Sequence, residues 1–329
     1  VLERVEIQNF RCLRQVEVPL RPLTVLIGPN DSGKSAFLAA VQRAGTAGSL
    51  DAQDYWRLDP HRQVRIVADA GPLHVRYEFG RQSCVRDVTR QRDVARHGAD
   101  VQAKDDPVRP LGFFLPPSQG VPMTCQGYSD EGAPPELGST GNMIPALLDH
   151  LLRRDRERFF AFVDAMKERV PGLEDVHVAT PSAQERRIDL KIDNGLVIRA
   201  DQASVGVRLM LFFVALTYHP SPPKIILLEE PENGVHPRRL ADVMTLLRDI
   251  TTGKHCGHPA QVILTTHSPY LLDHVDLDRD QVLVFRREAD GSRTAEPVDK
   301  ERLKTFLDEF MLGEVWFNQE EDGLVGREK

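Results

Sequence analysis

Residues Gly28-Pro-Asn-Asp-Ser-Gly-Lys-Ser35 follow the apolar run Leu23-Thr-Val-Leu-Ile27 and lead into Ala36-Phe-Leu-Ala-Ala40. This order of strand, glycine loop and Lys-Ser helix start decides how the rest of the chain is read. Glycines at 28 and 33 let the backbone curl until its N–H groups point inward, as a loop must to cradle phosphate oxygens at a helix start. Asn30, Asp31, Ser32, Gly33, Lys34, Ser35 and Ala36 are the expected nucleotide contacts. Lys34 supplies a point charge to the β and γ phosphates, and Ser35 offers the hydroxyl for the Mg²⁺ that bridges them. The pattern implies a bound nucleoside triphosphate.

Three further stretches complete a site around such a loop. Lys224-Ile-Ile-Leu-Leu-Glu-Glu230 reads as a buried strand ending in carboxylates, at the sheet edge where an open α/β fold presents ligand-binding groups. Adjacent strand residues point to opposite faces, so Glu229 is assigned to the metal and its waters, and Glu230 to the attacking water as general base. Gln261-Val-Ile-Leu-Thr-Thr-His267 is a second strand stopping at polar groups, and it places His267 where a γ-phosphate would lie. Ala203-Ser-Val-Gly-Val-Arg208 opens a helix with Ser204 as N-cap and Gly206 in the first turn. A helix start of this kind binds anions; since the phosphate loop is already fully equipped, it suggests a site completed by another subunit. His236, in Asn233-Gly-Val-His-Pro237, is read as structural.

The 329 residues are 41% apolar and carry a net charge of −7, enough apolar residue for a large core and the wrong sign for a surface wholly devoted to polyanions. Nucleic-acid binding stays open through a local basic groove, with Arg153, Arg154, Arg156 and Arg158 the one suggestive cluster. Cys12, Cys84, Cys125 and Cys256 lack zinc spacing and read as buried thiols of a reducing cytoplasm. No apolar run reaches the ~20 residues of a membrane span. The expected fold class is α/β, with N-terminal strands, a loop-rich stretch from Arg90 to Gly138, a helical stretch from Met143 to Val170, and a hairpin turning at Asp193-Asn-Gly195. Residues 1–60 and 200–329 are expected to form the nucleotide-binding core, and 61–199 an inserted strand, loop and helical lobe.

Together these residues resemble the ABC-type ATPase heads of the SMC, RecF and OLD (overcoming lysogenization defect) families, over almost the whole chain. The resemblance makes Gly28–Ser35 the Walker A loop, Glu229-Glu230 the end of Walker B, Ser204-Val-Gly206 the signature and His267 the switch histidine. It implies a P-loop head with a mixed sheet core and a head-to-tail dimer with ATP sandwiched between one subunit's Walker loops and the other's signature helix. It also makes Arg11 a phosphate-contacting arginine and Gln119 the Q-loop glutamine near the metal. Two departures stand out: Glu229 occupies a position where Asp is usual, and the signature is reduced to Ala-Ser-Val-Gly-Val. With about sixty residues after His267, too few for a Toprim nuclease domain, the chain is expected to be a stand-alone head. Its expected partner is a separately encoded effector, a nuclease or toxin, in prokaryotic antiphage defence or DNA maintenance. A nucleotide-gated scaffold with negligible turnover, or a DNA clamp, is the alternative. The lack of an Asn-Lys-x-Asp guanine motif and the resemblance favour ATP.

Overall fold

All five residues of Leu23–Ile27 and of Gln261–Thr265 are buried, as are four of the five in Ile225–Glu229. Strands apolar on both faces belong inside a parallel sheet covered on both sides. In the computed structural model, which describes residues 1–44, 50–59, 61–79, 84–90, 110–113, 121–128 and 132–326, these three pair in parallel. The strand Gln281–Arg287 joins the free edge of Leu23–Ile27 in parallel, and Arg293–Pro297 folds back on it antiparallel. With the short strand Pro110–Phe113 on the far side, the sheet has six strands and is mixed, as expected.

Alternating burial marks the other sheet of this region. Arg4–Phe10, Leu13–Pro19, Val64–Ala70, Leu73–Phe79 and Cys84–Arg90 form five antiparallel strands. The phosphate-loop helix, Lys34–Ala44, packs against both sheets. Phe37 meets Phe285 edge-on at 5.6 Å, within a core that also takes Ile7, Phe10, Leu26, Ile66 and Ile263. The buried amide of Gln261 pins the first strand's entry: it accepts from Leu2 N–H at 2.7 Å and donates to the carbonyls of Leu2 (2.8 Å) and Arg21 (3.0 Å).

The chain divides into two compact units, Val1–Gly112 with Pro223–Glu230 and Ala260–Lys329, and Phe113–Pro222 with Pro231–Pro259. Strands Val64–Ala70 and Leu73–Phe79, expected in the insert, pair within the first unit. The helix Val205–Thr217, expected in the core, belongs to the second.

In the second unit the stretch expected to be helical from Met143 to Val170 is two helices, Ile144–Arg154 and Arg156–Arg169. Asp155 leaves the helical region (φ −145, ψ 71), and its carboxylate accepts from Arg158 N–H, so it ends one helix by capping the next. Val205–Thr217 packs on Leu240–Thr252. The expected hairpin turns at Asp193, Asn194 and Gly195, whose φ values are 29, 64 and 87, and joins Glu185–Ile192 to Leu196–Arg199. Most of the Arg90–Gly138 stretch, with Gln119, lies outside the described residues. Among the described residues no helix is long and apolar enough to cross a membrane.

Candidate functional site

The loop after Leu23–Ile27 is shaped by positions that reject side chains. Gly28 has φ 135, and a Cβ there would stand 2.1 Å from the Phe285 carbonyl oxygen. Gly33 has φ 104, and its Cβ would meet Leu13 at 2.9 Å. Between them Asp31 is also left-handed, at φ 61. Such alternation turns successive N–H groups toward one point, the geometry of an anion nest. Lys34 is buried and its ammonium donates to the carbonyls of Gly28 at 2.8 Å and Pro29 at 2.9 Å. Burial lowers its pKa to about 8, against the opposing charges of Glu230, Glu321 and Glu229.

The strand ends bring their acids to this loop. Ser35 Oγ hydrogen-bonds Glu229 Oε1, so helix start and strand end meet through two oxygen donors. Simple alternation does not aim Glu230. The strand ends at Glu229, and Glu230 takes φ 45, with its N–H shared between the carbonyl and the hydroxyl of Thr265, each at 3.1 Å. The left-handed step, held by Thr265, sets the direction of the carboxylate. His267 Nε2 lies 3.7 Å from Glu230 Oε1. Burial and then the Lys34 charge hold this imidazole below its usual value, with Glu230 opposing, so the ring is neutral at pH 7. Asn30 to Ala36, Glu230 and His267 line one cavity of about 280 Å³ with Cys12 and Thr265.

Arg11 stands elsewhere. Its N–H donates to the Asp54 carbonyl at 2.8 Å and its Nε to the buried Asp54 carboxylate at 2.9 Å, a carboxylate that also pairs with Arg43. Arg11 lines a second cavity of about 750 Å³ with Trp56, Arg57, Arg287 and Arg293, and Cys12 lines both. Ser204 and Gly206 lie in the second unit. Ser204 Oγ accepts from Val207 N–H at 3.3 Å, and a Cβ on Gly206 would come 3.1 Å from the Gly234 carbonyl. In the same unit Arg153 pairs with Asp149 and Arg158 with Asp155, each at 2.9 Å, and Arg156 bonds the Leu152 carbonyl. The arginine cluster of the helical stretch is thus largely spent on its own fold. Sequence reading missed Thr265, Cys12 and Arg293. Thr265 carried a signal, being the last residue of a strand ending beside the site; Arg293 carried none.

Fold and motifs define an ATPase head of the SMC, RecF and OLD type, an ABC-like P-loop fold. The chain belongs to the family described as AAA domain, putative AbiEii toxin, Type IV TA system, whose model matches residues 102–273. A second model, AAA ATPase domain, matches residues 1–43. The OLD nuclease of Thermus scotoductus is 23% identical over an alignment covering 94% of this chain and 66% of that protein, so the chain spans less than two thirds of that relative's length. Among solved structures, an SMC head bound to the C-winged helix domain of ScpA superposes with a TM-score of 0.64 at 13% identity, covering 92% of this chain and 99% of that one. The SMC head domain of Thermotoga maritima gives 0.53 at 15%, covering 91% and 99%. An SMC head with extended coiled coil bound to the C-terminal domain of ScpA from Pyrococcus furiosus gives 0.59 at 12%, covering 94% and 98%. At these identities the likeness is one of fold.

Proposed function

We propose that the chain binds ATP with Mg²⁺ and hydrolyses it, in a head-to-tail dimer that controls an effector protein in the cytoplasm. The observation that carries this is the convergence of Lys34, Glu230 and His267 on one loop-lined cavity, with Ser35 and Glu229 joined beside it. Ser35 and Glu229 are hard oxygen donors already in contact, which suits Mg²⁺. Among the described residues no group of three or more His, Cys, Asp or Glu could hold a metal alone, in keeping with an ion that takes its other ligands from phosphate and water. Bound there, Mg²⁺ would neutralise charge on the β and γ phosphates.

In this reading the loop N–H groups orient the phosphates and Lys34 exchanges its bonds to the Gly28 and Pro29 carbonyls for phosphate oxygens. Glu230 accepts a proton from the attacking water, and neutral His267 donates a hydrogen bond to the γ-phosphate. The larger cavity, which shares Cys12 with the first, would seat the nucleoside. The start of the Val205–Thr217 helix, with exposed Ser204 and half-buried Gly206, would face the partner's nucleotide. An effector of nuclease or toxin type is in keeping with the likeness to a putative toxin family and to the Thermus OLD nuclease, and antiphage defence or DNA maintenance is the setting we assign. The test is hydrolysis as a function of protein concentration, with sedimentation of wild type and Glu230→Gln in ATP and Mg²⁺. Second-order activity with a trapped mutant dimer supports the reading; first-order activity without a dimer overturns it.

A further inference from the structure

Arg293 opens the strand Arg293–Pro297 and lies 262 positions from the phosphate loop, yet its guanidinium is spent on that loop. Nε donates to the Asp31 carbonyl at 2.6 Å and Nη2 to the Asp31 carboxylate at 2.7 Å. Nη1 anchors the fork to its own hairpin through the Gly291 carbonyl at 2.5 Å. The side chain is only 7% exposed although its carboxylate partner is 74% exposed, so the cation is the fixed half of the pair. Its stem crosses Gly33: Cβ and Cγ lie 3.4 and 3.3 Å from where a Cβ on that glycine would stand. One arginine therefore grips the loop at its non-glycine left-handed residue and covers its left-handed glycine.

We infer that Arg293 is a positioning residue for nucleotide binding, which holds Asp31 in the left-handed conformation and so keeps the loop N–H groups aimed at phosphate. The inference rests on the nucleotide-binding reading above. An L residue disfavours that conformation, whereas a fork bonding both its carbonyl and its carboxylate favours it. Lysine could make one of those bonds but not the planar pair. Glycine at position 31 would adopt the same backbone angle without the steric penalty.

The experiment compares ATP affinity by calorimetry, and KM against kcat, in the full chain with Mg²⁺. The proteins are wild type, Arg293→Ala, Arg293→Lys and the double variant Arg293→Ala with Asp31→Gly, with Lys34→Ala as the non-binding control. Losing the clamp releases a left-handed penalty equivalent to about tenfold in affinity, so Arg293→Ala should bind about tenfold more weakly, its KM rising while kcat changes less. Arg293→Lys should fall between, and the double variant should regain most of the loss. A purely structural arginine would lower the unfolding midpoint without this recovery by glycine. Wild-type affinity in Arg293→Ala, or a double variant that binds no better than Arg293→Ala, overturns the inference. Wild type binding no better than Lys34→Ala would instead overturn the nucleotide reading. Should Arg293→Ala not fold, Arg293→Lys with and without Asp31→Gly makes the same comparison.

Discussion

Glu230 is held at φ 45, a conformation that costs a residue with a Cβ on the order of 1–2 kcal/mol, and Thr265 holds it there with two acceptors for one N–H. Substituting Glu230→Gln keeps the shape and removes the carboxylate proposed as the base. Hydrolysis in single-turnover assays should fall by roughly 10²- to 10⁴-fold while ATP binding persists. Lys34 gives a pH dependence with a definite sign. Its pKa of about 8 in the free protein rises when phosphate joins it, so binding takes up a proton, and affinity falls as pH rises through 8 toward the raised value. Calorimetry in two buffers of different ionisation enthalpy should show proton uptake at pH 8 that is nearly absent at pH 6.5. The loop residues, Glu229, Glu230 and His267 were legible in the sequence because each sits at the end of an apolar run that marks a strand. The twist at Glu230 and the Arg293 clamp were not, since both depend on partners far away in the chain.

Elements were legible where local chemistry and tertiary packing agree. The parallel strands announce themselves by unbroken apolar runs, and the Asp193-Asn-Gly195 turn by residues tolerant of positive φ. The break at Asp155 was hidden because the apolar stripe of Met143–Val170 continues at helical spacing across it. What ends the first helix is a carboxylate that serves the second better as a cap than it serves the first as a surface residue. Asp155→Ala should cost about 1 kcal/mol of stability in denaturant titration, and Asp155→Asn much less, because asparagine caps as well. Assignment of the strands at 64–79 to an insert failed for a related reason: alternation identifies a half-buried strand but not the neighbour it pairs with.

The whole molecule should behave as half of an enzyme. Specific activity is expected to rise with protein concentration, and two inactive variants should complement each other. Mixing Lys34→Ala with Gly206→Asp gives random dimers of which half carry one intact site of two, so about a quarter of wild-type hydrolysis should return. No recovery would exclude a composite site. The chain's own path adds one consequence. Glu230 is the last residue of the first unit's middle segment, and Pro231 begins a segment of the second. The residue proposed as general base thus sits where the backbone passes from one unit's segments to the other's, so a change at Glu230 or Pro231 that alters the backbone should disturb the proposed site and the crossing together.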